Sequence, residues 1–190
     1  MAKIVLCSGS PRRQELLRRI GIEQFDIRVP QVEETYPAGL NPRETVEYIS
    51  REKAEAARRL CAEDEIFITA DTMVFLDDAR LGKPHDEADA LRMLTALQGR
   101  RHTVCTGVSV GLGNHLETES EATEVVFRPA TEAELRGYIR TGEPGQGGRL
   151  RRPGQGCAAG RGPSRRFLQR HGPAGAAAVP DAGAVRRIFF

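Results

Sequence analysis

The sequence predicts a mixed α/β fold in which helices cover a central β-sheet. Over the first 144 of its 190 residues, short apolar runs that are typical of buried strands alternate with segments whose apolar residues recur at helical spacing. Capping residues and glycines separate the two kinds of segment. The last 46 residues show neither pattern, so we predict a folded unit over residues 1–144 and an unlike tail over residues 145–190.

The first three predicted elements are a strand, a helix and a strand. Residues 3–8 form a short apolar run that ends at Gly9, as a buried strand would. Pro11 then occupies a position that a first helical turn tolerates, and Gly21 marks the expected end of that helix. Alternating residues over 25–29 predict the second strand.

A long helix is predicted to begin after Asn41. This residue can cap the helix, Pro42 suits the first helical position, and Glu44 can reach back to the cap. The helix should run for about 18 residues. Four apolar residues mark its expected buried face: Val46, Ile49, Ala56 and Leu60.

The second half of the folded unit is rich in strands. In chain order we expect a strand over residues 66–75, a helix over 87–98, and strands over 102–112 and 116–127. Gly113 and Asn114 favour a hairpin between the last two strands. Thr131 and Glu134 form a capping box, which predicts a final helix that ends at Gly142.

The composition argues against a membrane or secreted protein. Hydrophobic residues make up 39% and charged residues 28% of the chain, and no stretch approaches the roughly 20 apolar residues that span a bilayer. The first residues resemble a strand more than a signal peptide. Four cysteines are scattered without a C-x-x-C pair, so neither a zinc site nor a disulfide framework is indicated, and we expect a cytoplasmic protein: Cys7, Cys61, Cys105 and Cys157.

The net charge of +2 hides two unlike pieces. Residues 1–144 hold 19 basic and 25 acidic residues, whereas residues 145–190 hold nine arginines and one acid. Glycine, alanine, arginine and proline fill 31 of those last 46 positions. Such a composition buries too little apolar surface to offset the entropy of ordering, so the tail is predicted to be disordered or non-native.

One candidate phosphate site lies where the first strand gives way to the first helix. Ser8, Ser10, Arg12 and Arg13 bring hydroxyls, guanidinium groups and free backbone N–H groups to this turn. A capped helix with two solvated arginines explains the same residues equally well. The turn is not a Walker A loop, because the G-x-x-x-x-G-K-[ST] pattern is absent.

Asp71 is the second candidate, because it interrupts the apolar run over residues 66–75. A buried acid is costly unless it is paired or functional, although it could also cap a neighbouring turn. Lys53 and Lys83 would by themselves be taken for solvated surface residues. Glu33 and Glu34, which follow the second strand, would be taken for an exposed acidic turn.

Taken together, these residues resemble the motifs of the Maf family of nucleoside triphosphate pyrophosphatases. The motifs occur in the family's order over about residues 3–144: S-x-S-P-R-R-x-E-L-L at 8–17, E-E at 33–34, S-R-x-K-A at 50–54, A-D-T-x-V at 70–74 and L-G-K-P at 81–84. The resemblance implies an elongated Maf/ITPase-like α/β fold with a twisted mixed sheet and a central cleft. It also implies a homodimer. Nucleic acid is not an expected partner.

The resemblance further implies hydrolysis of a nucleoside triphosphate to the monophosphate and pyrophosphate, with Mg²⁺ or Mn²⁺. The A-D-T form of the motif resembles the form found in the branch of the family that acts on dTTP and UTP. Four cations would bind the triphosphate and stabilise the departing pyrophosphate: Arg12, Arg13, Lys53 and Lys83. Asp71 would accept a proton from the attacking water, and Glu33 would share the metal or orient that water. Ser8 or Ser10 would donate to phosphate, and Thr72 would help to discriminate the base or sugar.

The sequence departs from the family after Pro144. The expected segments D-K-A-G-A-Y-G-x-Q-G and G-D-x-x-N-V-x-G-L-P are missing. When synonymous codons are chosen for residues 145–156 and 166–173, a shifted reading frame gives close versions of both segments, and the first two bases of most of those codons are fixed. We therefore interpret residues 145–190 as a frameshifted product. The shift would remove an acid, a glutamine, a strand and a helix that the family places at or behind the site, and would impair activity.

Two other functions remain open from the sequence. The arginine-rich tail could bind RNA or another polyanion without specificity, although it holds three phenylalanines as its aromatic residues and has no repeated R-G-G unit. A non-enzymatic role in regulating septum formation, historically attached to the family, is the second alternative.

Overall fold

The computed structural model describes residues 2–140 and, for the backbone alone, a short strand at Leu168–Gln169. The elements in chain order are β1 (Ile4–Leu6), α1 (Pro11–Arg19), β2 (Asp26–Ile27), α2 (Pro42–Arg58), β3 (Ile66–Leu76), β4 (Ala79–Leu81), α3 (Glu87–Leu97), β5 (Arg101–Leu112), β6 (His115–Phe127), α4 (Glu132–Arg140) and β7 (Leu168–Gln169). The predicted mixed α/β class is confirmed. The predicted helix end at Gly142 and, apart from β7, the proposed frameshifted tail lie outside the described residues.

The strands form one mixed sheet in the order β2-β1-β3-β5-β6-β7, with β4 paired to β3. Strand β1 runs parallel to both of its neighbours, and its Leu6 lies opposite Ile27 of β2 and Ile68 of β3. Strand β4 is antiparallel to β3, and β7 is antiparallel to β6. The described chain divides into two compact units, which hold the described parts of Met1–Thr72 and Cys105–Ala122 and of Met73–Val104 and Thr123–Ala174 respectively.

The first unit has α1 on one face of its strands and α2 on the other. Ile68 of β3 belongs to the apolar cluster that contains Leu17 of α1, whereas its neighbour Phe67 packs with Ala54 and Ala57 of α2. Successive side chains of a strand point to opposite faces, so odd-numbered residues of β3 face α2. The prediction that Leu60 completes the buried face of α2 is wrong: this residue lies beyond the helix end and is 45% exposed.

Helix α2 lies unusually close to β5 at Gly107, and this contact gives a stability prediction. A Cβ atom added at Gly107 would lie 2.5 Å from the carbonyl oxygen of Val46 and 2.9 Å from the amide nitrogen of Glu47. These are backbone atoms of a packed helix, which cannot move alone. We expect Gly107→Ala to lower the free energy of unfolding by about 1–3 kcal/mol in urea denaturation.

Gly137 provides the matched control for this substitution. It lies inside α4, and an added Cβ would meet no atom within 4 Å. Gly137→Ala should raise the free energy of unfolding by about 0.5–1 kcal/mol, because alanine favours helix. Equal urea midpoints for the two variants would show that the protein accommodates a Cβ atom at Gly107 without strain.

The second unit contains a buried histidine whose titration should couple stability to pH. His102 on β5 is 5% exposed and packs edge-on against the ring of Phe127, with ring centroids 4.8 Å apart. Burial lowers its pKa from 6.5 to about 4, and Nδ1 has no hydrogen-bond partner among the described residues. The unfolded chain therefore takes up a proton near pH 6.5 that the folded chain refuses until near pH 4.

The contribution of neutral His102 to the free energy of unfolding is fully present above pH 6.5 and is lost as the pH falls towards 4. Between pH 7.5 and pH 5 we expect a loss of about 2 kcal/mol, measured by urea unfolding at both values. The variant His102→Leu lacks the titrating group and should lose far less over the same interval. An equal pH dependence in both proteins would contradict the assignment to His102.

Candidate active site

A buried carboxylate and a lysine form the centre of the candidate site. The side chain of Asp71 on β3 is fully buried, and its Oδ1 lies 2.8 Å from Nζ of Lys53 on α2. The same ammonium group donates to Oε1 of Glu34 at 2.7 Å, in the segment that precedes α2. The lysine side chain is 16% exposed, so it links a buried acid to a more exposed one.

Local sequence signals explain why Lys53 reaches Asp71. The start of α2 is fixed by a reciprocal capping box, in which Asn41 Oδ1 accepts from the Glu44 amide at 3.0 Å and Glu44 Oε2 accepts from the Asn41 amide at 2.8 Å. This start sets the helical phase, so that Lys53 projects from the side of α2 that also buries Ala54 and Ala57. Asp71 is odd-numbered on β3 and therefore faces that helix.

The acid beside Lys53 is Glu34, whereas its neighbour Glu33 is the residue that the family motif predicts for the site. Glu33 is exposed, and its backbone carbonyl accepts a hydrogen bond from the amide of Thr35 at 2.9 Å. Two adjacent glutamates in a segment without regular structure carry no periodic signal that would separate them. The E-E motif located the position but could not resolve which carboxylate meets the lysine.

The predicted phosphate turn forms a second group of polar side chains in the same unit. Ser8 is 6% exposed, and its Oγ accepts from Arg13 Nη1 at 2.8 Å and from the Ser10 amide at 3.3 Å. Ser10 precedes α1 as its N-cap residue, but its hydroxyl makes no capping hydrogen bond. Arg12 is half-buried in the first turn of that helix.

The parallel pairing of β1 and β3 relates the two groups. Leu6 lies opposite Ile68, and the amide of Cys7 donates to the carbonyl of Ile68 at 2.8 Å. Ser8 lies two residues beyond Leu6, past the end of β1, and Asp71 lies three residues beyond Ile68 on β3. Both groups thus lie towards the carboxyl end of the parallel pair, where ligands commonly bind in open α/β sheets.

The two remaining predicted residues have surroundings of their own. The Thr72 hydroxyl forms a 2.9 Å hydrogen bond with the Thr106 hydroxyl, and its even number places it on the face of β3 opposite Asp71. Lys83 is exposed and follows β4 in the second unit. The structure therefore brings Lys53 and Asp71 together, with Ser8 and Arg13 in a second group.

The chain was compared with families of known proteins and with individual relatives. A family model described as "Maf-like protein" matches residues 3–157. The chain belongs to the Maf family. Relatives named dTTP/UTP pyrophosphatase include those of Phocaeicola vulgatus, 45% identical over 142 residues, and Vibrio cholerae, 45% identical over 144 residues. These matches cover 75% and 76% of this chain, and 74% and 76% of the respective relatives.

A solved structure of a HAM1 protein from Coxiella burnetii is similar at a TM-score of 0.42. It shares 11% sequence identity over 67% of this chain and 73% of that chain. The family resemblance predicted from the sequence motifs is confirmed by the Maf match and by the relatives. No helix in the described part of the chain is long and apolar enough to cross a membrane.

The donor set of this Maf site bears on the predicted metal. Within residues 2–140, no group of three or more histidine, cysteine, aspartate or glutamate side chains lies close enough to hold a metal ion by itself. Asp71 and Glu34 supply two carboxylates around one ammonium group. Magnesium is typically held by one or two carboxylates together with phosphate oxygens, so the residues fit a cation that is bound jointly with a phosphorylated ligand.

Proposed function

We propose that this chain hydrolyses nucleoside triphosphates, with dTTP and UTP as substrates, to the nucleoside monophosphate and pyrophosphate. The observation that carries the proposal is the fully buried Asp71 carboxylate held 2.8 Å from the Lys53 ammonium group. Relatives that share 45% of the matched residues are named dTTP/UTP pyrophosphatase, which supports this substrate class. A buried charge pair of this kind costs free energy to maintain, and such sites are commonly functional.

Asp71 is proposed as the general base. Its carboxylate accepts a proton from water as the water oxygen bonds to the α-phosphorus, and the bond between that phosphorus and the bridging oxygen breaks. The electron pair of the broken bond leaves with pyrophosphate. Lys53 places a positive charge 2.8 Å from Oδ1, and an opposite charge at such a distance favours the charged form of a carboxylate.

The phosphate groups are proposed to bind at the turn before α1 and to cationic side chains. Arg12 and Arg13 offer guanidinium groups, and Lys83 offers an ammonium group, for charge that grows on the leaving pyrophosphate. The Ser8 hydroxyl accepts a hydrogen bond from Arg13 and still has its own proton to donate to phosphate. The Ser10 hydroxyl makes no capping hydrogen bond and can likewise donate its proton. Thr72, whose hydroxyl is hydrogen-bonded to that of Thr106, is proposed to help discriminate the base or the sugar.

A divalent cation, Mg²⁺ or Mn²⁺, is proposed as the cofactor. Asp71 and either Glu33 or Glu34 would hold it together with phosphate oxygens, and the cation would neutralise charge on the triphosphate. We further propose that the protein acts as a homodimer in the cytoplasm. Sedimentation at micromolar concentration tests the dimer, which predicts twice the 20.9 kDa chain mass.

Product analysis in H₂¹⁸O tests the function. The full chain with Mg²⁺ and dTTP or UTP should yield pyrophosphate and an ¹⁸O-labelled monophosphate, and EDTA should reduce the yield to background. Label in pyrophosphate instead would move the attack to the β-phosphorus, and release of inorganic phosphate in place of pyrophosphate would reject the proposed reaction.

Sequencing the gene across the codon for Pro144 shows which version of the protein to assay, because a frameshift predicts greater activity once the reading frame is restored. No release from a chain with one continuous frame would favour the non-enzymatic regulator.

A further inference from the structure

We propose that Thr69 is a positioning residue that fixes helix α2 on β3 so that Lys53 meets Asp71. The side chain of Thr69 is fully buried, and its Oγ1 donates to the backbone carbonyl of Ser50 at 2.9 Å. Within a helix that carbonyl already faces the amide four residues further on. The bond from Thr69 is therefore an additional link between two elements.

Two of the polar contacts between α2 and β3 lie side by side: the Thr69–Ser50 hydrogen bond and the Lys53–Asp71 ion pair. Thr69 and Asp71 are two residues apart on β3, so they share a face and lie about 7 Å apart. Ser50 and Lys53 are three residues apart on α2, so they share a side and are separated by about 4.5 Å along the axis. Any slide or rotation of α2 that breaks the Thr69 link also moves Lys53 relative to Asp71.

Further hydroxyl groups hold the same part of α2. The hydroxyl of Ser109 on β5 donates to Ser50 Oγ at 2.8 Å and is bonded to Thr118 at 2.9 Å. Both serines are fully buried. An aliphatic side chain would fill such space without the cost of burying a hydroxyl, so the hydrogen bonds must supply directional placement.

Lys53 needs this placement, because its side chain has four rotatable carbons and loses entropy when it is held at one position. Asp71 fixes where the ammonium group must lie, and α2 fixes where the chain begins. A misplacement of about 1 Å in a catalytic arrangement can lower the rate by about a hundredfold. The inference rests on the proposed function, since it concerns the rate of that reaction.

Substitutions at residue 69 test the inference in the full chain. Thr69→Val keeps the shape and removes the donor, and it should lower kcat for pyrophosphate release by about tenfold to a hundredfold while KM changes less than threefold. Thr69→Ser keeps the donor and should restore kcat to within about threefold of the original protein. Thr69→Ala provides a second donor-free variant if the valine variant does not fold.

Thr45→Val is the matched control. Thr45 is also fully buried on α2, and its hydroxyl donates at 2.8 Å to a carbonyl, but that carbonyl belongs to Asn41, the N-cap residue of the same helix. This variant loses the same type of bond without cutting a link to β3. Its kcat should stay within about twofold, whereas a general loss of stability would affect Thr45→Val and Thr69→Val alike.

A readout that does not depend on catalysis separates this inference from the proposed function. The ¹⁵Nζ–H signal of Lys53, assigned by its disappearance in Lys53→Met, should be present in the original protein and in Thr69→Ser. It should be broadened or lost in folded Thr69→Val. If the original protein releases pyrophosphate and Thr69→Val keeps both kcat and the signal, the inference is overturned and the function stands. If the original protein releases none, the proposed function fails, and the Lys53 signal alone decides whether Thr69 positions the lysine.

Discussion

Asp71→Asn should lower kcat/KM for pyrophosphate release from dTTP by about a thousandfold, within the range expected for removal of a general base. Asparagine has nearly the same shape as aspartate but cannot accept the proton of the attacking water. The substitution also removes the charge beside the Lys53 ammonium group, which lies 2.8 Å from Asp71 Oδ1. Steady-state kinetics with dTTP and UTP measure the loss.

Asp78→Asn is the control for this substitution. Asp78 is an exposed carboxylate in the turn between β3 and β4, seven residues along the chain. Its substitution removes the same charge and should leave kcat/KM unchanged within about twofold. A decrease of less than tenfold for Asp71→Asn, measured against this control, would assign the base to another group.

Lys53→Met should lower the free energy of unfolding by about 3–5 kcal/mol, because it leaves the Asp71 carboxylate buried without its ammonium partner. Methionine fills much of the lysine volume, so the loss reports charge more than packing. The double variant Lys53→Met/Asp71→Asn should recover most of this loss, since neither charge is then present. Urea denaturation of the two single variants and the double variant gives the coupling free energy.

Arg51→Met supplies the matched control on the same helix. Arg51 forms a 3.2 Å ion pair with Glu47, and its side chain is 53% exposed. An exposed pair of this kind contributes less than about 1 kcal/mol. If Lys53→Met costs no more than Arg51→Met, or if the double variant shows simple additivity, the buried pair does not have the energetic role assigned to it.

Local signals predicted the helices better than they predicted the edge of the sheet. Asn41 caps the start of α2, as predicted. Gly21, whose φ is +93°, lies just after the end of α1, also as predicted. Strand β2 covers only Asp26–Ile27 of the predicted residues 25–29, because it is an edge strand whose one neighbour among the described strands is the three-residue β1. Strand β4 was not predicted, since its three residues are too few for a periodic pattern.

The candidate site could be predicted where one residue was chemically out of place. Asp71 stood out because an acid in a buried strand is costly, and its partner Lys53 came from the family motif. Thr69 gave no such signal, because threonine is an ordinary strand residue and its bond to Ser50 depends on how α2 packs. The choice between the adjacent Glu33 and Glu34 likewise depended on tertiary structure.

The ion pair at the centre of the site is part of a cluster of three charged groups. With Glu34 included, one ammonium group is shared by two carboxylates, which leaves an excess of one negative charge. A bare polyphosphate approaching Lys53 would therefore be repelled as well as attracted. The species that this corner of the protein favours is a nucleotide that brings its own counter-ion, and affinity for the uncomplexed nucleotide should be the weaker of the two.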